Sequence, residues 1–329
     1  MTRAVLVVGG AGYVGGHTCK ALARAGFLPV VLDDFSTGHE SFTRWGPSVK
    51  ADMRDTARVE DTIRRFDCAA VLHFAAHACV GESVIDPAKY YANNVAGTLS
   101  LLAGMRAAGC DVLVFSSTCA VYGQPARVPI VEETRPDPIN PYGASKLMVE
   151  RILADFRAAH GFRSTALRYF NACGADPEGE IGESRDPETH LIPRAMMALQ
   201  GHVSDFAVFG SDFETPDGTA IRDYVHVTDL ADGHVATLRY LLNGAPGGVF
   251  NLGTGRGHSV LEVLRAIGRE TGQTLPGVTG GRRSGDPAVL VADPARARLE
   301  LGFNPVHSDL ETIVRTAWAW HRHAHPRRD

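Results

Sequence analysis

A glycine-rich turn that directly follows a short apolar run constrains this chain most. Residues Val5–Val8 are all apolar, and Gly9, Gly12 and Gly15 come next. Four consecutive apolar residues predict a strand buried on both faces, and a helical pattern starts after the glycines. Glycine lets the backbone turn tightly and approach a neighbouring group closely. The chain is therefore predicted to begin with a strand, a tight turn and a helix.

The alternation of apolar runs and amphipathic stretches continues through the first half of the chain. Further buried strands are predicted at Pro29–Leu32, Ala69–His73, Val112–Ser116 and Ser164–Arg168, and helices at His17–Ala25 and Val95–Ala108. Repeated strand–helix units of this kind indicate a parallel sheet covered by helices. We predict the α/β class, with a Rossmann-like doubly wound parallel sheet.

The rhythm changes after Asn171, because residues 172–220 are rich in Gly, Pro, Asp and Glu. A helix at Val225–Leu242 and a strand at Val249–Leu252 are then predicted to return to the first sheet. We expect a first domain over residues 1–172, with returning segments at about 221–255. The remainder of residues 173–329 is expected to form a smaller α/β lobe.

The composition is that of a globular protein without an unusual compartment or partner. The 329 residues carry a net charge of −4 with both signs mixed, which favours neither nucleic acid nor an anionic membrane as partner. The six cysteines show no metal-binding spacing, and no apolar stretch reaches transmembrane length. We expect a cytoplasmic protein with no metal site, and we interpret His321, His323 and His325 as a solvated chain end.

The glycine turn and Asp33 together predict a dinucleotide site. Helix N–H groups behind Gly9, Gly12 and Gly15 suit a pyrophosphate, although glycines that serve only a turn are the alternative. Asp33 lies 18 residues beyond Gly15, after the second strand. A carboxylate there accepts hydrogen bonds from ribose hydroxyls and repels a 2′-phosphate, which favours NAD over NADP. Asp52 is either an adenine contact or an ordinary loop aspartate.

A helix beginning at an Asn-Pro pair carries the candidate catalytic groups. On it Tyr142, Lys146, Val149, Leu153 and Phe156 form one stripe at helical spacing. The apolar members must face the core, so the tyrosine and lysine face inward too. We expect the ammonium to lower the phenol pKa from about 10, so that the tyrosine can take a proton from an alcohol. The alternative is a tyrosine packed on a lysine stem.

Hydroxyl groups stand at the end of the strand that precedes this helix. The run Phe115-Ser116-Ser117-Thr118 lies at the carboxyl edge of the predicted sheet, where ligands bind. Thr118 is the candidate for a hydrogen bond to the reacting hydroxyl. An alcohol oxidation site is predicted where this strand end and the tyrosine meet.

These motifs together resemble the extended short-chain dehydrogenase/reductase family. Within that family the sequence is similar to the UDP-glucose 4-epimerases over essentially its whole length. The matching segments are His73–Ala76, Val80–Ser83, Asn93–Val95, Ser145–Glu150, Leu167–Asn171, Arg222–Val227, Asp229–His234 and Asn251–Gly253. The resemblance implies NAD-dependent epimerisation at C4 of a UDP-hexose, which interconverts UDP-glucose and UDP-galactose through a transient 4-keto intermediate. It also implies a homodimer.

The resemblance also implies site residues, which we add to those predicted above. The catalytic positions are Thr118, Tyr142 and Lys146. The first domain is expected to hold NAD through Gly9, Gly12, Tyr13, Val14, Gly15, Asp33, Asp34, Phe35, Ser36, Thr37, Gly38, Asp52, Met53, Phe74, Ala75, Ala76, Ala78, Asn93, Thr118, Tyr142, Lys146 and Phe170. The UDP-sugar is expected to contact Thr118, Tyr142, Asn171, His190, Leu191, Ala207, Val208, Phe209, Arg222, Arg283, Asp286 and Leu290.

The chain departs from these relatives at three positions. Ala78 stands where some epimerases carry a lysine near the cofactor, and His190 replaces an asparagine that touches the sugar. Leu290 is intermediate in size at a position where residue size helps decide whether an N-acetyl sugar fits. A UDP-N-acetylglucosamine or UDP-pentose 4-epimerase therefore stays an alternative.

Two further alternatives have weaker support in the sequence. A 4,6-dehydratase needs an acid and a base after the threonine, where Cys119 and Ala120 stand. A protein that binds NAD without catalysis is disfavoured because tyrosine, lysine and threonine are all present.

Overall fold

A seven-stranded parallel sheet forms the centre of the computed structural model, which describes residues 2–275, 279–282 and 286–324. The strand order is β11-β6-β5-β4-β1-β2-β3. The strands are β1 (Ala4–Val8), β2 (Leu28–Asp33), β3 (Ser48–Lys50), β4 (Cys68–His73), β5 (Val112–Ser116), β6 (Arg163–Tyr169) and β11 (Gly247–Leu252). The order reverses between β1 and β4, and ligands bind at the carboxyl ends of strands at such a point.

Helices cover both faces of this sheet. The helices of the described residues are α1 (Tyr13–Arg24), α2 (Thr56–Phe66), α3 (Val80–Ile85), α4 (Pro87–Tyr90), α5 (Gly97–Ala108), α6 (Pro141–His160), α7 (Leu191–Leu199), α8 (Val227–Leu242), α9 (Val260–Thr271), α10 (Ala295–Leu301) and α11 (Leu310–Ala324). None of them is long and apolar enough to cross a membrane.

Alternate residues of β1 belong to two different cores. Val5 and Val7 pack in a cluster with residues of α1 and α8, whereas Leu6 and Val8 pack in a cluster with residues of α2, α5 and α6. A strand buried on both faces must be apolar at every position, which explains the uninterrupted run in the sequence. The predicted doubly wound α/β fold is confirmed.

Short strands build a second, smaller region after Asn171. The pairs are β7 (Asn171–Cys173) with β10 (Tyr224–His226), β8 (Val208–Phe209) with β13 (Thr279–Gly280), and β9 (Ile221–Arg222) with both β12 (His258–Ser259) and β14 (Val289–Leu290). A third core joins α7, α9 and α11 through residues that include Ile192, Ile267 and Ile313. This region lies beside the carboxyl edge of the main sheet.

Two predictions from the second half of the sequence are wrong in detail. The helix predicted from Val225 begins at Val227, because Tyr224–His226 pairs as a strand with β7. The chain end is not simply solvated, because α11 continues to Ala324 and His321 is buried. His325 lies outside the described residues.

Side-chain contacts fix the position of helix α6 relative to the sheet. The Asn140 side chain caps the helix by accepting a hydrogen bond from the Gly143 N–H at 2.8 Å. Further along, Glu150 forms an ion pair of 2.6 Å with Arg168 of β6, and both side chains are 6% exposed. The Ser117 hydroxyl donates to the same carboxylate at 2.5 Å. These contacts join α6 to the ends of β5 and β6.

We predict that Glu150→Gln lowers the free energy of unfolding by about 3 kcal/mol, because it leaves the buried Arg168 without its charge partner. The control is Asp155→Asn on the same helix, whose ion pair with Arg151 is largely exposed. That change should cost less than about 1 kcal/mol. Urea unfolding followed by circular dichroism measures both. Equal, small effects of the two changes would contradict a structural role for the buried pair.

Candidate active site

The glycine turn forms a cradle without room for side chains. Gly9 has a φ of +81°, and a Cβ on it would lie 2.4 Å from the Ala75 nitrogen. A Cβ on Gly15 would lie 2.2 Å from the Gly9 carbonyl oxygen. The N–H groups of Tyr13, Val14 and Gly15 find no acceptor among the described residues. A close backbone turn with unpaired N–H groups at a helix N-terminus fits a dinucleotide pyrophosphate.

Asp33 organises the loop that follows β2. Its carboxylate accepts hydrogen bonds from the Ala11 N–H at 3.0 Å and the Phe35 N–H at 2.9 Å. Burial raises the pKa of this carboxyl group, and the two N–H donors oppose that rise. Phe35 has a φ of 58°, which a bulky residue adopts only where its surroundings impose it. The loop is therefore fixed against the glycine turn at the predicted ribose position.

The residues after Phe35 continue this loop towards the glycine turn. Asp34 accepts hydrogen bonds from the Ser36 N–H and hydroxyl, and exposed Thr37 follows. A Cβ on Gly38 would lie 2.7 Å from the Ala11 Cβ, so Gly38 allows the loop to pass close to the cradle.

Asp52 has a protein partner of its own. Its carboxylate pairs with the Arg54 guanidinium at 2.5 Å, and this contact holds the pKa of Asp52 below its usual range. The neighbouring Met53 is buried against Gly97 of α5. The contact of Asp52 with the adenine stays a prediction beside the alternative of an ordinary loop aspartate.

A partly exposed segment follows β4 and includes Phe74, Ala75, Ala76 and Ala78. Asn94 anchors it, because the buried Asn94 amide donates to the His77 carbonyl and to the Ser145 hydroxyl, each at 3.0 Å. Asn93 in turn donates to the Asn94 side chain at 3.1 Å. Sequence reasoning named Asn93 but missed Asn94, although Asn94 stood in the motif that carried the resemblance.

Tyr142, Lys146 and Thr118 meet at the carboxyl ends of β5 and β6. All three are buried, and the Thr118 side chain favours the ionised form of the Tyr142 phenol by lowering its pKa. The Lys146 ammonium donates to the Ser116 carbonyl at 2.8 Å and lies 4.8 Å from the centre of the Phe115 ring. The inward-facing stripe predicted for α6 is thus present, but Lys146 is bonded to the strand.

The pKa values of this site differ from the sequence-based expectation. Burial raises the pKa of Tyr142 well above its usual value, Tyr169 raises it further, and the hydrogen bond to Thr118 and the charge of Arg185 lower it. Burial also lowers the pKa of Lys146 to about 7, against the influence of Glu150. For the protein groups alone, the expected lowering of the Tyr142 pKa is therefore wrong, because burial outweighs the charge of Arg185. The further lowering expected from the positive nicotinamide of NAD stays a prediction.

Several predicted substrate residues pair with one another in the smaller region. The Arg222 guanidinium forms an ion pair with Asp286 and also donates to the Ile221 carbonyl at 2.8 Å. Leu290 is opposite Arg222 in the β9–β14 register and is partly buried. Arg283 lies outside the described residues. An arginine and a carboxylate placed together can bind a diphosphate and a ribose hydroxyl.

His190 is part of a partly buried charge cluster that the sequence did not reveal. Its Nδ1 lies 2.6 Å from the Glu183 carboxylate, which raises the pKa of His190. The His190 N–H donates to Glu188 at 2.8 Å, and Leu191 begins α7. The bond to Glu183 leaves His190 Nε2 as the ring nitrogen that a ligand can use.

The other predicted positions have different surroundings. Phe170 is buried in the main core, and the Asn171 N–H donates to the Asp223 carbonyl at 3.0 Å. Ala207 precedes β8, which contains the buried Val208 and the 40% exposed Phe209.

Fold and site together define a Rossmann-type, dinucleotide-dependent enzyme that acts on an alcohol. The NAD dependent epimerase/dehydratase family matches residues 5–253, and the chain belongs to this family. The family prediction made from the sequence motifs is confirmed, and the NAD dependence of the family agrees with the predicted cofactor.

Individual relatives cover nearly the whole chain. A UDP-glucose 4-epimerase from Rhizobium leguminosarum bv. trifolii is 54% identical over 96% of this chain and 97% of its own length. The structure of a Brucella ovis UDP-glucose 4-epimerase in complex with NAD has a TM-score of 0.94 at 55% identity, covering 96% of this chain and 98% of that one. A Stenotrophomonas maltophila UDP-glucose 4-epimerase with bound NAD and formylated UDP-arabinopyranose also has a TM-score of 0.94, at 39% identity and 98% coverage of both chains.

We predict that Lys146 makes stability depend on pH. The pKa of this lysine is about 7 in the folded protein and about 10.4 in an unfolded chain. Between these values only the unfolded chain binds the proton, so the free energy of unfolding rises with pH, by up to about 1.4 kcal/mol per unit. Below about pH 7 both states are protonated and this contribution is constant.

Chemical unfolding of Lys146→Met across this range measures the effect, and the variant should lose the rise. Lys50→Met, which changes an exposed lysine at the end of β3, is the control and should keep it. The same slope in both variants would contradict the burial of an ammonium at position 146.

Proposed function

We propose that this chain interconverts UDP-glucose and UDP-galactose by NAD-dependent epimerisation at C4. The observation that carries the proposal is that Thr118, Tyr142 and Lys146 are all buried at the carboxyl edge of the sheet, where Lys146 is bonded to the Ser116 carbonyl and the glycine cradle also lies. Relatives named UDP-glucose 4-epimerase match this chain over nearly its whole length. The function expected from the sequence motifs is the same.

Tyr142 is the group that moves the proton. Its phenolate takes the proton of the sugar 4-hydroxyl and later returns it, while Thr118 holds the phenol oxygen by a hydrogen bond. Bound NAD supplies the hydride acceptor and donor, so that it is unchanged after each cycle. Lys146 donates a hydrogen bond to the Ser116 carbonyl and thereby holds α6 against the end of β5 beside the reacting groups.

Inversion needs only one base because the 4-keto sugar is planar at C4. Removal of the proton from O4 and of a hydride from C4 gives the ketone. Return of the hydride to the opposite face of C4, with a proton returned to O4, gives the epimer. The UDP moiety must be held firmly while the hexose turns. Arg222 and Asp286 suit that grip, since they are themselves paired and are only partly exposed.

We propose that residues 1–172, with returning segments within about 221–255, bind NAD and that the remainder of residues 173–329 binds the UDP-sugar. Strand β11 supports this division because it lies beside β6 in the main sheet. Strand β9, in contrast, pairs within the smaller region, so the return to the main sheet begins after Arg222.

A cytoplasmic setting is supported by six cysteines that are all free.

The sugar range has a second candidate. A relative named as a UDP-glucose 4-epimerase holds a formylated UDP-pentose. Here Leu290, partly buried beside Arg222, stands at the position that the sequence comparison links to N-acetyl tolerance. UDP-N-acetylglucosamine or a UDP-pentose is therefore the alternative substrate.

We predict that the wild-type protein, purified with bound NAD, interconverts UDP-glucose and UDP-galactose without added cofactor. Tyr142→Phe should reduce the rate by at least about a thousandfold, because the ring remains but the proton carrier is lost. A coupled assay measures the rate, with UDP-N-acetylglucosamine and UDP-xylose as parallel substrates. Absorbance and cofactor extraction measure NAD in both proteins.

Retained NAD with lost activity in Tyr142→Phe is the expected result. Full activity of that variant would refute the catalytic assignment. Stoichiometric consumption of added NAD by the wild-type protein would indicate a dehydrogenase.

We also propose that the chain forms a homodimer through α3, α5 and α6. Apolar side chains on these helices are exposed, with Ile85 at 86%, Val84 at 63%, Met148 at 46% and Leu99 at 42%. Neighbouring apolar side chains on adjacent helices are typical of a subunit interface. The interface would lie on the far side of α6 from its inward-facing stripe.

We predict that Met148→Glu converts the dimer into a monomer, because a carboxylate would be buried at the helix contact. Leu299→Glu is the control, since Leu299 is 87% exposed on α10. Sedimentation velocity measures the mass of each variant. A monomeric wild-type protein, or a dimer unchanged by Met148→Glu, would contradict this interface.

A further inference from the structure

The segment after β4, residues 74–79, runs from the glycine cradle to the start of α3. At one end the N–H groups of Phe74 and Ala75 donate to the Val8 carbonyl at 2.7 and 3.0 Å. At the other end Cys79 directly precedes α3. The segment is partly exposed, and we expect NAD to contact it. Its position relative to the catalytic tyrosine therefore affects how cofactor and base meet at one sugar carbon.

Tyr90, the last residue of α4, is fully buried and holds the far end of this segment. Its hydroxyl accepts a hydrogen bond from the Cys79 N–H at 3.0 Å. The one hydroxyl proton is donated to the Cys79 carbonyl at 2.6 Å or to the Glu82 carboxylate at 2.8 Å. The Tyr90 ring centre also lies 5.8 Å from that of His77. A buried hydroxyl lowers stability unless it is bonded, so a side chain that only filled space would not need one. The hydroxyl therefore anchors the backbone at Cys79.

The ring of Tyr90 also packs on the ring of Tyr142. The two ring centres are 6.5 Å apart and the ring planes cross at 79°, which is the edge-to-face geometry that aromatic pairs favour. Both rings are buried, with exposed fractions of 0% and 8%. The bond of Lys146 to the Ser116 carbonyl fixes the helix that carries Tyr142, whereas Tyr90 contacts the phenol ring itself. One side chain thus joins the segment after β4 to the catalytic ring.

Asn94 makes a second connection between the same two parts of the molecule. It belongs to a π-helical stretch, Tyr91–Ala96, which directly follows α4, and such stretches are frequent at functional sites. Its side chain accepts from the His77 N–H and donates to the His77 carbonyl, each at 3.0 Å. It also donates to the Ser145 hydroxyl, which donates to the Tyr142 carbonyl at 2.7 Å. The backbone of the catalytic tyrosine is therefore tied to the segment after β4, just as its ring is.

We propose that Tyr90 is a positioning residue that sets the ring of Tyr142 relative to the cofactor segment after β4. The inference rests on the proposed epimerase function, in which the proton leaves O4 to Tyr142 while the hydride leaves C4 to NAD. The two transfers need base and cofactor aligned on the same sugar carbon. A misplacement of about 1 Å can slow such a step about a hundredfold. The hydroxyl of Tyr90 fixes one partner and its ring fixes the other.

A tyrosine that only filled the core would behave differently, and the chain offers a matched case. Tyr240 on α8 also packs edge-to-face on an aromatic ring, that of Phe250, with ring centres 5.8 Å apart and planes at 89°. Its hydroxyl donates to the Glu300 carboxylate at 3.2 Å. Tyr240 therefore has the same kinds of contact, but with a ring of β11 that has no part in the proposed chemistry. Loss of its side chain should lower stability and leave the rate of turnover unchanged.

The test compares kcat and KM for UDP-glucose in the NAD-loaded wild-type protein, Tyr90→Leu, Tyr90→Phe and Tyr240→Leu. Tyr90→Leu removes both the ring contact and the anchor, so kcat should fall about a hundredfold. KM should stay within about twofold, because Arg222 and Asp286, proposed to hold UDP, lie in the smaller region. Tyr90→Phe keeps the ring but loses the bond to Cys79, so its kcat should be intermediate, about tenfold below wild type.

Tyr240→Leu is the control and should keep the wild-type kcat, although thermal unfolding should show lower stability for it as well as for Tyr90→Leu. Wild-type kcat in folded Tyr90→Leu, or a raised KM alone, would overturn the proposal, since Tyr90 would then only fill the core or affect binding. If Tyr90→Leu does not fold, Tyr90→Phe decides, and wild-type kcat in that variant would equally overturn the proposal. A wild-type protein without epimerase activity would instead refute the proposed function.

Discussion

The buried ion pair between Glu150 and Arg168 is the contact on which the geometry of the site depends. It joins α6 to β6 away from solvent, and the Ser117 hydroxyl extends it to the end of β5. A buried pair contributes little net stability, but it specifies one arrangement because any other would leave a charge unpaired. With α6 fixed in this way, Tyr142 and Lys146 reach the carboxyl edge of the sheet, where Thr118 follows β5.

Burial of Tyr142 and Lys146 disfavours their charged forms, and the other groups of the protein do not offset this effect. It favours the neutral forms of both Tyr142 and Lys146, which is the opposite of what a charged acid–base pair requires. The phenolate therefore has to be favoured by charges that lie close to it inside the cleft.

Local patterns in the sequence predicted the parts that local physics determines. The apolar run of Val5–Val8, the glycines that follow and the stripe on α6 each depend on neighbours a few residues away. The partner of Lys146, the clamp of Glu183 on His190 and the start of α8 at Val227 depend on contacts across the fold. Spacing in one sequence contains no record of such contacts, nor of how deeply the Tyr142 phenol is buried, and this burial raises the phenol pKa in the protein alone.

The two halves of the cleft also differ in what holds their ligands. The cofactor side is made by backbone, since Gly9 and Gly15 permit close contacts that any side chain would block. The side that we propose for the sugar is made by side chains on short strands and loops, such as Arg222 with Asp286 and His190 with Glu183. A backbone cradle accepts few substitutions, whereas the partly buried Leu290, opposite Arg222, is a side-chain position that can differ in size. The sequence therefore predicts the cofactor more reliably than it predicts the sugar.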